Sequence, residues 1–306
     1  ISFDSSEIFQ QAIKIFLLYS GLTLFIFIVL NFLSIRSFNS LNLAFSLISS
    51  GGFLPFNDLS IVLNTKIKNI VFSVLMLSSY FSLFLGYNLI FYKKKNLNFY
   101  FEDLYLLIYL LIMILLTYFI LGKNYEFSSI LFSICSSVSN IGLSISKNQN
   151  FLYIFFLVLV IIGGSFFSTS SGLRVIKVLT LIKFSLNNLL SHSKPNQIYS
   201  NKLSLNKIND NINDINKYFF AIIIFIFSLF LITILLTISN LDFEVSFKLG
   251  ILTIMNTVNS EMYTLANLDF YNFNIFSKIS LIIFMIIGRI ELLSVIILLK
   301  KFLFKN

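Results

Sequence analysis

The sequence predicts an all-α polytopic membrane protein composed of repeated units, each with a spanning helix, a short re-entrant helix, an extended strand and a second spanning helix. Composition is the first observation. Of the 306 residues, 57% are hydrophobic and 11% are charged, whereas a soluble domain carries roughly twice that charged fraction. Several nearly uncharged stretches reach about 18 residues or more, the length that crosses a bilayer. A short polar run recurs three times between such stretches, so the same unit repeats.

The apolar stretches predict six spanning helices, the fourth of them interrupted. They lie at about 11–33, 66–92, 102–122, 150–190, 216–239 and 275–303. A moderately apolar segment of about a dozen residues follows the first, third and fifth spans. Each such segment is too short to cross a bilayer, so it predicts a re-entrant pore helix. These segments cover 38–49, 126–138 and 244–256, and each runs directly into one of the polar motifs.

The repeat divides the chain into three pore units and one linker. The units cover 1–98, 99–190 and 216–306, and the polar stretch 191–215 is predicted to be a cytoplasmic linker. Lysine and arginine are enriched in the loops on the same side as this linker, as the positive-inside rule predicts for cytoplasmic loops. The formal net charge of +9 therefore reflects membrane topology. No basic helix or aromatic-interleaved stripe indicates nucleic-acid binding.

The recurring polar motif predicts an ion pathway. Non-helical backbone at membrane depth is tolerated only where protein buries it or where it lines a watery cavity. Small residues there free carbonyl oxygens to face a dehydrated ion. The simpler alternative for a single copy is a helix-ending turn with a glycine cap. The predicted filter residues are Ser50, Gly51 and Gly52, then Asn140, Ile141 and Gly142, and finally Thr257, Val258 and Asn259.

The third copy of the motif differs from the other two. At the position where the others have glycine, it has Asn259, followed by Ser260. Asparagine tolerates left-handed backbone conformations better than other non-glycine residues do. A filter-like turn is therefore still predicted at this position.

A run of Gly, Ser and Thr breaks the fourth spanning segment and predicts a loop beneath the filter that acts as a gate. The alternative is a kink that permits close helix packing. A second intramembrane feature is Arg289 in the middle of the last apolar helix. Charged residues are rare inside a membrane, so the position of Arg289 predicts a functional role. We expect hydrogen-bond acceptors such as pore-facing carbonyls to stabilise it; the alternative is that it snorkels to an interface. The predicted gate residues are Gly163, Gly164, Ser165, Ser168, Thr169, Ser170, Ser171, Gly172 and Arg289.

No constellation typical of an enzyme can be assembled from the sequence. Cys135 is the single cysteine and His192 the single histidine, and there is no Ser/His/Asp set, carboxylate pair or P-loop. We therefore expect no catalytic activity and no cofactor. Cys135 is expected to be a small buried residue of the second pore helix.

Taken together, these residues resemble the membrane subunit of the Trk/Ktr potassium transporter family, of the TrkH or KtrB type. The run Gly163–Lys177 is similar to the family's Gly- and Ser-rich intramembrane gate loop and the basic helix after it, and Gly288–Glu291 is similar to its Gly-Arg-Leu-Glu. Ser50–Phe53 is similar to the Thr-Gly-Gly-Phe of the family's second repeat. Asn140–Gly142 falls on the third filter. Thr257–Ser260 falls on the Asn-Val-Gly-Pro of the fourth, from which Asn259 and Ser260 depart.

The family has four such repeats around a single central ion pore, and the resemblance covers three of them. It implies that the first repeat would precede Ile1 in a longer protein. It also implies potassium uptake through a filter of backbone carbonyls, with the ion as transported substrate rather than cofactor. The implied K⁺ positions are Ser50, Gly51, Asn140, Ile141, Thr257 and Val258.

Further properties follow from the same resemblance. It implies symport, a homodimer in the lipid bilayer of the bacterial inner membrane, and a cytoplasmic nucleotide-binding regulatory subunit of the TrkA/KtrA type. Two alternatives stay open. One is a sodium or mixed-cation transporter of the same fold, and the other is a non-conducting membrane scaffold derived from such a transporter.

Overall fold

The structure is a computed structural model that describes residues 8–55, 59–82, 100–122, 125–145, 152–165, 168–193, 212–265 and 268–290. Within these ranges the chain is almost entirely helical. Three times, a long helix is followed by a 12-residue helix and then by a short extended segment. The predicted all-α architecture is therefore confirmed.

The first unit runs from a long apolar helix through a pore helix to a shorter helix. Ser34, at φ 59°, reverses the chain between the first two helices, which then pack against each other. Thr65 caps the last helix of the unit by accepting a hydrogen bond from the Lys68 amide at 3.4 Å. The helices are α1 (Ile8–Phe32), α2 (Ser37–Ile48), α3 (Leu59–Val62) and α4 (Lys66–Met76).

The second unit has the same order but a broken last helix. Glu102 and Asp103 lie in the first turn of its long helix, where acidic groups complement the helix dipole. A two-residue strand follows the third helix and pairs in parallel with a second one, Ile162 with Leu173 and Gly163 with Arg174. The elements are α5 (Tyr100–Leu121), α6 (Phe127–Val138), α7 (Tyr153–Ile161), β1 (Ile162–Gly163), β2 (Leu173–Arg174) and α8 (Val175–Ser193).

The third unit repeats the pattern. Its elements are α9 (Ile212–Ile238), α10 (Phe243–Ile254) and α11 (Ile275–Ile290), with short 3-10 turns at Glu261–Tyr263 and Phe270–Asn272. Helices α8 and α9 extend into the predicted linker 191–215 from either end, and 194–211 lies outside the described residues. The last predicted helix, 275–303, is described as far as residue 290.

Three described helices are long and apolar enough to span a membrane, and each is the first helix of its unit. They are Ala12–Phe32, Glu102–Leu121 and Ile215–Ile238. Most of the surface of the first two is not buried inside the chain, since only 17% of each span is buried. Apolar side chains at this density on an outer surface require a lipid or protein environment.

The pore helix α6 lies between two hydrophobic cores and contributes to both. Its residues Ile130 and Ile134 pack into the core shared with the third unit, and Phe132 and Cys135 pack into the core of the first unit. The Phe132 ring stacks on Phe72 of α4 with centroids 5.8 Å apart. The prediction that Cys135 is a buried filler is confirmed, since it is 1% exposed.

The predicted continuous helix over 66–92 is wrong at its centre. Helix α4 ends at Met76, a 3-10 turn covers Leu77–Ser79, and the chain bends at residues 80–82. The physical reason lies in the hydrogen bonds of this turn. The carbonyl oxygens of Ser79 and Tyr80 accept hydrogen bonds from the amides of Ser170 and Ser165, both at 3.1 Å, and so serve the loop of the second unit.

Candidate functional site

Each pore helix ends in the same backbone turn. The residues that follow α2, α6 and α10 are Ser49, Ser139 and Met255, all in right-handed conformation. The next residue in each unit has a positive φ: 49° at Ser50, 58° at Asn140 and 53° at Asn256. This left-handed residue redirects the chain from the pore helix into the extended segment.

The ends of the pore helices determine which residues of the three motifs are structurally equivalent. On this basis the predicted residue assignment of the third filter segment changes by one position. Counting from the left-handed residue places Gly52, Gly142 and Val258 in equivalent positions. Asn259, which the sequence comparison placed opposite the glycines, therefore lies one residue beyond them. The end of α10 at Ile254 sets this register, and the sequence of the motif does not reveal where that helix ends.

The extended segments converge so closely that two positions accept only glycine. Gly52 has φ 68° and Gly142 has φ 79°, values that L side chains rarely adopt. A Cβ on Gly52 would collide with the Ile141 carbonyl oxygen and the Val258 side chain, and one on Gly142 would collide with the Val258 carbonyl oxygen. The structure therefore brings the predicted filter residues of all three units together.

The side chains of the three left-handed residues differ in their partners. Ser50 donates to the Thr169 carbonyl oxygen at 3.0 Å, and Asn256 donates to the Met285 carbonyl oxygen at 2.9 Å. Asn140 is 0% exposed, and neither end of its amide has a partner among the described residues. A buried unpaired amide is costly unless water or another ligand reaches it.

The serine-rich loop, defined here as residues 164–172, packs against the first filter turn. Strands β1 and β2 close its base, and the described part between them is held by serine hydroxyls. The Gly164 amide donates to Ser170 Oγ at 3.1 Å, and Ser168 Oγ lies 2.9 Å from Ser170 Oγ. The predicted break in the fourth spanning segment is thus a folded loop rather than a kink in a continuous helix.

Arg174 organises this loop from its base. One of its guanidinium nitrogens, Nη1, lies 2.9 Å from each of three acceptors, namely the carbonyl oxygens of Ser165 and Ser170 and the hydroxyl of Ser168. Sequence reasoning did not predict this role for Arg174. Its spacing of a few residues from a serine cluster is the signal that could have identified it.

Arg289 connects the last helix to both the filter turn and the loop. Its Nη2 donates to the Ser49 carbonyl oxygen at 2.7 Å, and its Nη1 donates to the hydroxyls of Ser50 at 3.1 Å and Ser171 at 3.4 Å. The expectation that oxygen acceptors stabilise this intramembrane charge therefore holds. Glu291, two residues further on, lies outside the described residues.

Gly288 allows Arg289 to reach the filter turn. A Cβ at Gly288 would collide with the carbonyl oxygen of Ile254, the last residue of α10. Helix α11 therefore approaches the end of the third pore helix more closely than any other residue at 288 would permit. Together with the Asn256 to Met285 hydrogen bond, this contact fixes α11 against the third filter turn.

Cavities lie on both sides of the converging segments. A vestibule of about 350 Å³ lies at the end away from the loop and is lined by residues that include Gly52, Gly142, Val258 and Glu261. A lateral cavity of about 730 Å³ separates the first filter turn from the third unit and extends to Arg289. A smaller cavity of about 180 Å³ lies between the loop and α11.

A buried lysine, also missed by sequence reasoning, lies behind the third filter segment. Lys248 of α10 is 5% exposed. Its Nζ donates to Thr264 Oγ1 at 2.6 Å, pairs with Glu244 and lies 4.0 Å from the centre of the Tyr153 ring. It therefore ties the pore helix to the segment after the filter and to α7 of the second unit.

Comparison with known proteins identifies relatives over nearly the whole chain, although no family model matches it. The Trk system potassium uptake protein TrkH of Salmonella typhimurium is 25% identical over 306 residues, covering 95% of this chain and 62% of that protein. The TrkH of Escherichia coli K12 aligns with the same identity and coverage, and that of Halomonas elongata is 22% identical over 307 residues. The chain is homologous to the TrkH potassium uptake proteins.

The TrkH fold is shared at the level of three-dimensional structure as well. The crystal structure of the potassium transporter TrkH from Vibrio parahaemolyticus matches with a TM-score of 0.84 and 21% sequence identity. The match covers 98% of this chain and 66% of that one, so the chain spans slightly less than two thirds of the TrkH proteins it matches. The relatives are ion transporters rather than enzymes, and the family resemblance inferred from the motifs is confirmed.

Proposed function

We propose that this chain forms pore-lining units of a bacterial potassium uptake transporter. The observation that carries this proposal is the convergence of the segments after α2, α6 and α10, with Gly52 and Gly142 pressed against neighbouring backbone carbonyls. Such backbone supplies oxygen atoms at membrane depth, and oxygen atoms replace the hydration shell of an alkali cation. Homology to TrkH proteins supports potassium as that cation.

In this proposal the serine-rich loop acts as the gate. It contacts the first filter turn through the Ser50 to Thr169 hydrogen bond, and Arg289 bridges Ser50 and Ser171. In the described part of the loop, water can replace the hydrogen bonds that the hydroxyls and the guanidinium make, so these bonds need not prevent the loop from detaching. Movement of the loop and of Arg289 would then open the path for the ion.

The remaining expectations from the family resemblance are part of the same proposal. They are K⁺ coordination at Ser50, Gly51, Asn140, Ile141, Thr257 and Val258, symport, a homodimer in the inner membrane, and a nucleotide-binding regulatory subunit of the TrkA/KtrA type. For the third segment, the register of the pore helix adds Asn256 to the proposed path and puts Asn259 one residue beyond the glycine position. A sodium or mixed-cation transporter is the nearest alternative.

A non-conducting scaffold is the second candidate, and one observation favours it. Val258 occupies the position of the filter glycines, and its side chain contacts the site where a Gly52 Cβ would be. An isopropyl group offers no oxygen to a cation. Transport measurements distinguish the scaffold from the transporter.

The test is growth and rubidium uptake in a bacterial strain without its own potassium uptake systems, with the full gene product expressed. We expect uptake that Gly52→Ala impairs and that Gly21→Ala leaves unchanged, since a Cβ at Gly21 meets nothing within 4 Å. Absence of uptake at normal membrane expression would overturn the transporter and favour the scaffold. Faster uptake of sodium than of potassium would favour the sodium alternative.

A further inference from the structure

We propose that Val258 is the specificity-determining residue of the filter, a hydrophobic constriction that limits both the rate of cation passage and the discrimination between alkali cations. The inference rests on the proposed function, because it names the residue of that ion path that sets its properties. Four observations support it, and they concern position, side-chain packing, backbone conformation and cavities.

Position is the first observation. Val258 lies two residues after the left-handed Asn256, as Gly52 lies two residues after Ser50 and Gly142 after Asn140. The pore helices that precede them are each 12 residues long, so the equivalence does not depend on sequence similarity. Val258 is therefore the one β-branched residue among three equivalent filter positions.

Packing is the second observation. An ideal Cβ on Gly52 would lie 2.6 Å from Val258 Cγ2 and 3.0 Å from Val258 Cβ. The valine side chain thus fills the space that the glycine leaves free. Because the side chain belongs to the third unit and the glycine to the first, Val258 reaches across the convergence point rather than away from it.

Backbone conformation is the third observation. Gly52 and Gly142 have positive φ, whereas Val258 is not among the described residues with positive φ. This agrees with the cost of a left-handed conformation for a β-branched side chain. The contacts between neighbouring segments also differ. Gly52 contacts the carbonyl oxygen of Ile141, the residue before Gly142 in the second segment. Gly142 instead contacts the carbonyl oxygen of Val258, the residue at the glycine position of the third segment. The third segment therefore presents its carbonyl oxygens differently from the other two.

The cavities provide the fourth observation. Val258 lines both the vestibule of about 350 Å³ and the lateral cavity of about 730 Å³, so it lies at the boundary between them. In the vestibule the isopropyl group lies beside Gly52 and Gly142, where a cation would enter the filter. Hydrophobic constrictions oppose ion passage because a partly dehydrated ion finds no oxygen there.

The experiment replaces Val258 with smaller and larger residues in the full protein, purified and reconstituted into vesicles of anionic bacterial lipid. Uptake of rubidium and of sodium is measured for the wild type and for Val258→Gly, Val258→Ala and Val258→Ile. We expect the rubidium rate to increase several-fold from wild type through Val258→Ala to Val258→Gly. The rubidium-to-sodium ratio should increase in Val258→Gly, because glycine permits the left-handed turn and returns the third carbonyl to the path. Val258→Ile should not exceed the wild-type rate.

Val74→Ala is the matched control, because Val74 of α4 is 58% exposed and is outside the filter. Unchanged rates and ion ratios in Val258→Gly, with wild-type transport intact, would overturn the role of Val258 and leave the proposed function standing. No cation flux in any folded, reconstituted variant would instead overturn the proposed function together with this inference. Size-exclusion profiles identify variants that misfold, and Val258→Ala then replaces Val258→Gly as the deciding variant.

Discussion

The Arg289 guanidinium donates a hydrogen bond of 3.1 Å to the hydroxyl of Ser50, although 239 residues separate the two in sequence. The same hydroxyl donates to the Thr169 carbonyl oxygen at 3.0 Å. Ser50 is thus the point at which the filter turn, the serine-rich loop and the last described helix meet. A movement of any one of these three elements would therefore alter the hydrogen bonds that Ser50 makes with the other two.

Alanine at Gly52 or Gly142 is expected to weaken discrimination of potassium from sodium. Each position has a positive φ, and an L residue there costs about 1–2 kcal/mol before any collision with the neighbouring carbonyl. Because the new methyl group displaces a filter carbonyl, the ion loses part of its coordination shell. Competition of sodium with rubidium uptake measures the change. Gly21→Ala is the control, and unchanged selectivity in both filter variants would contradict the assignment.

Shortening the Ser168–Ser171 run is expected to raise basal flux. These residues carry several contacts of the loop with the first unit, including the hydrogen bond from the Ser170 amide to the Ser79 carbonyl oxygen. Without them the loop no longer packs against the filter turn. Rubidium uptake at matched membrane expression is the measurement. A fall in flux with normal expression would show that the run is a packing element instead.

Arg174→Gln is expected to loosen the loop without removing any of its residues. The guanidinium holds three oxygen acceptors of the loop at 2.9 Å, and a hydrogen bond to a charged group contributes about 1.5–3 kcal/mol. Glutamine is shorter and uncharged, so it loses the charge assistance and part of the reach of the guanidinium. Faster proteolysis within the loop and raised basal flux are the readouts. Lys183→Gln on the same helix provides a charge-matched control, and an equal effect there would argue against a specific role of Arg174.

Arg289→Gln is expected to raise maximal rubidium flux or alter its affinity while folding is largely retained. Removing the charge eliminates repulsion of a passing cation, and the amide keeps some hydrogen bonding to Ser49 or Ser50. Arg36→Gln is the matched control, because Arg36 is exposed at the start of α2. Loss of assembly without altered kinetics would mean that Arg289 only anchors the helix, and wild-type kinetics with normal assembly would exclude both roles.

Glu244→Ala is expected to destabilise the protein more than Lys248→Met does. Lys248 is buried, whereas the Glu244 side chain is 67% exposed and can be solvated when it loses its partner. Removing Glu244 leaves a buried charge whose remaining partners among the described residues are Thr264 and the Tyr153 ring, at a cost of about 1–3 kcal/mol. Thermal unfolding in detergent measures both variants. A larger loss of stability in Lys248→Met than in Glu244→Ala would contradict the argument that Lys248 is the buried partner of the pair.

Much of the fold was predictable because it depends on local properties. The pore helices lie within one or two residues of the predicted segments, since each is a short apolar run ended by polar residues. The break in the fourth span was predictable for the same reason, because consecutive Gly, Ser and Thr residues disfavour helix. In contrast, the end of α4 at Met76 was not predictable, since residues 77–82 contain no glycine or proline and the helix stops because a distant loop uses the carbonyl oxygens of Ser79 and Tyr80.

The sequence by itself determined that this chain crosses a membrane in repeated units, because span length, apolar content and polar interruptions are properties of contiguous residues. Tertiary structure decided that Val258, not Asn259, takes the glycine position, because the end of the pore helix sets that register. It also decided the partners of Arg289 in the first and second units and the contact of Lys248 with the Tyr153 ring of the second unit. Hydrogen bonds form only between groups that packing brings within about 3 Å of each other. Local sequence patterns do not predict how the units pack against one another.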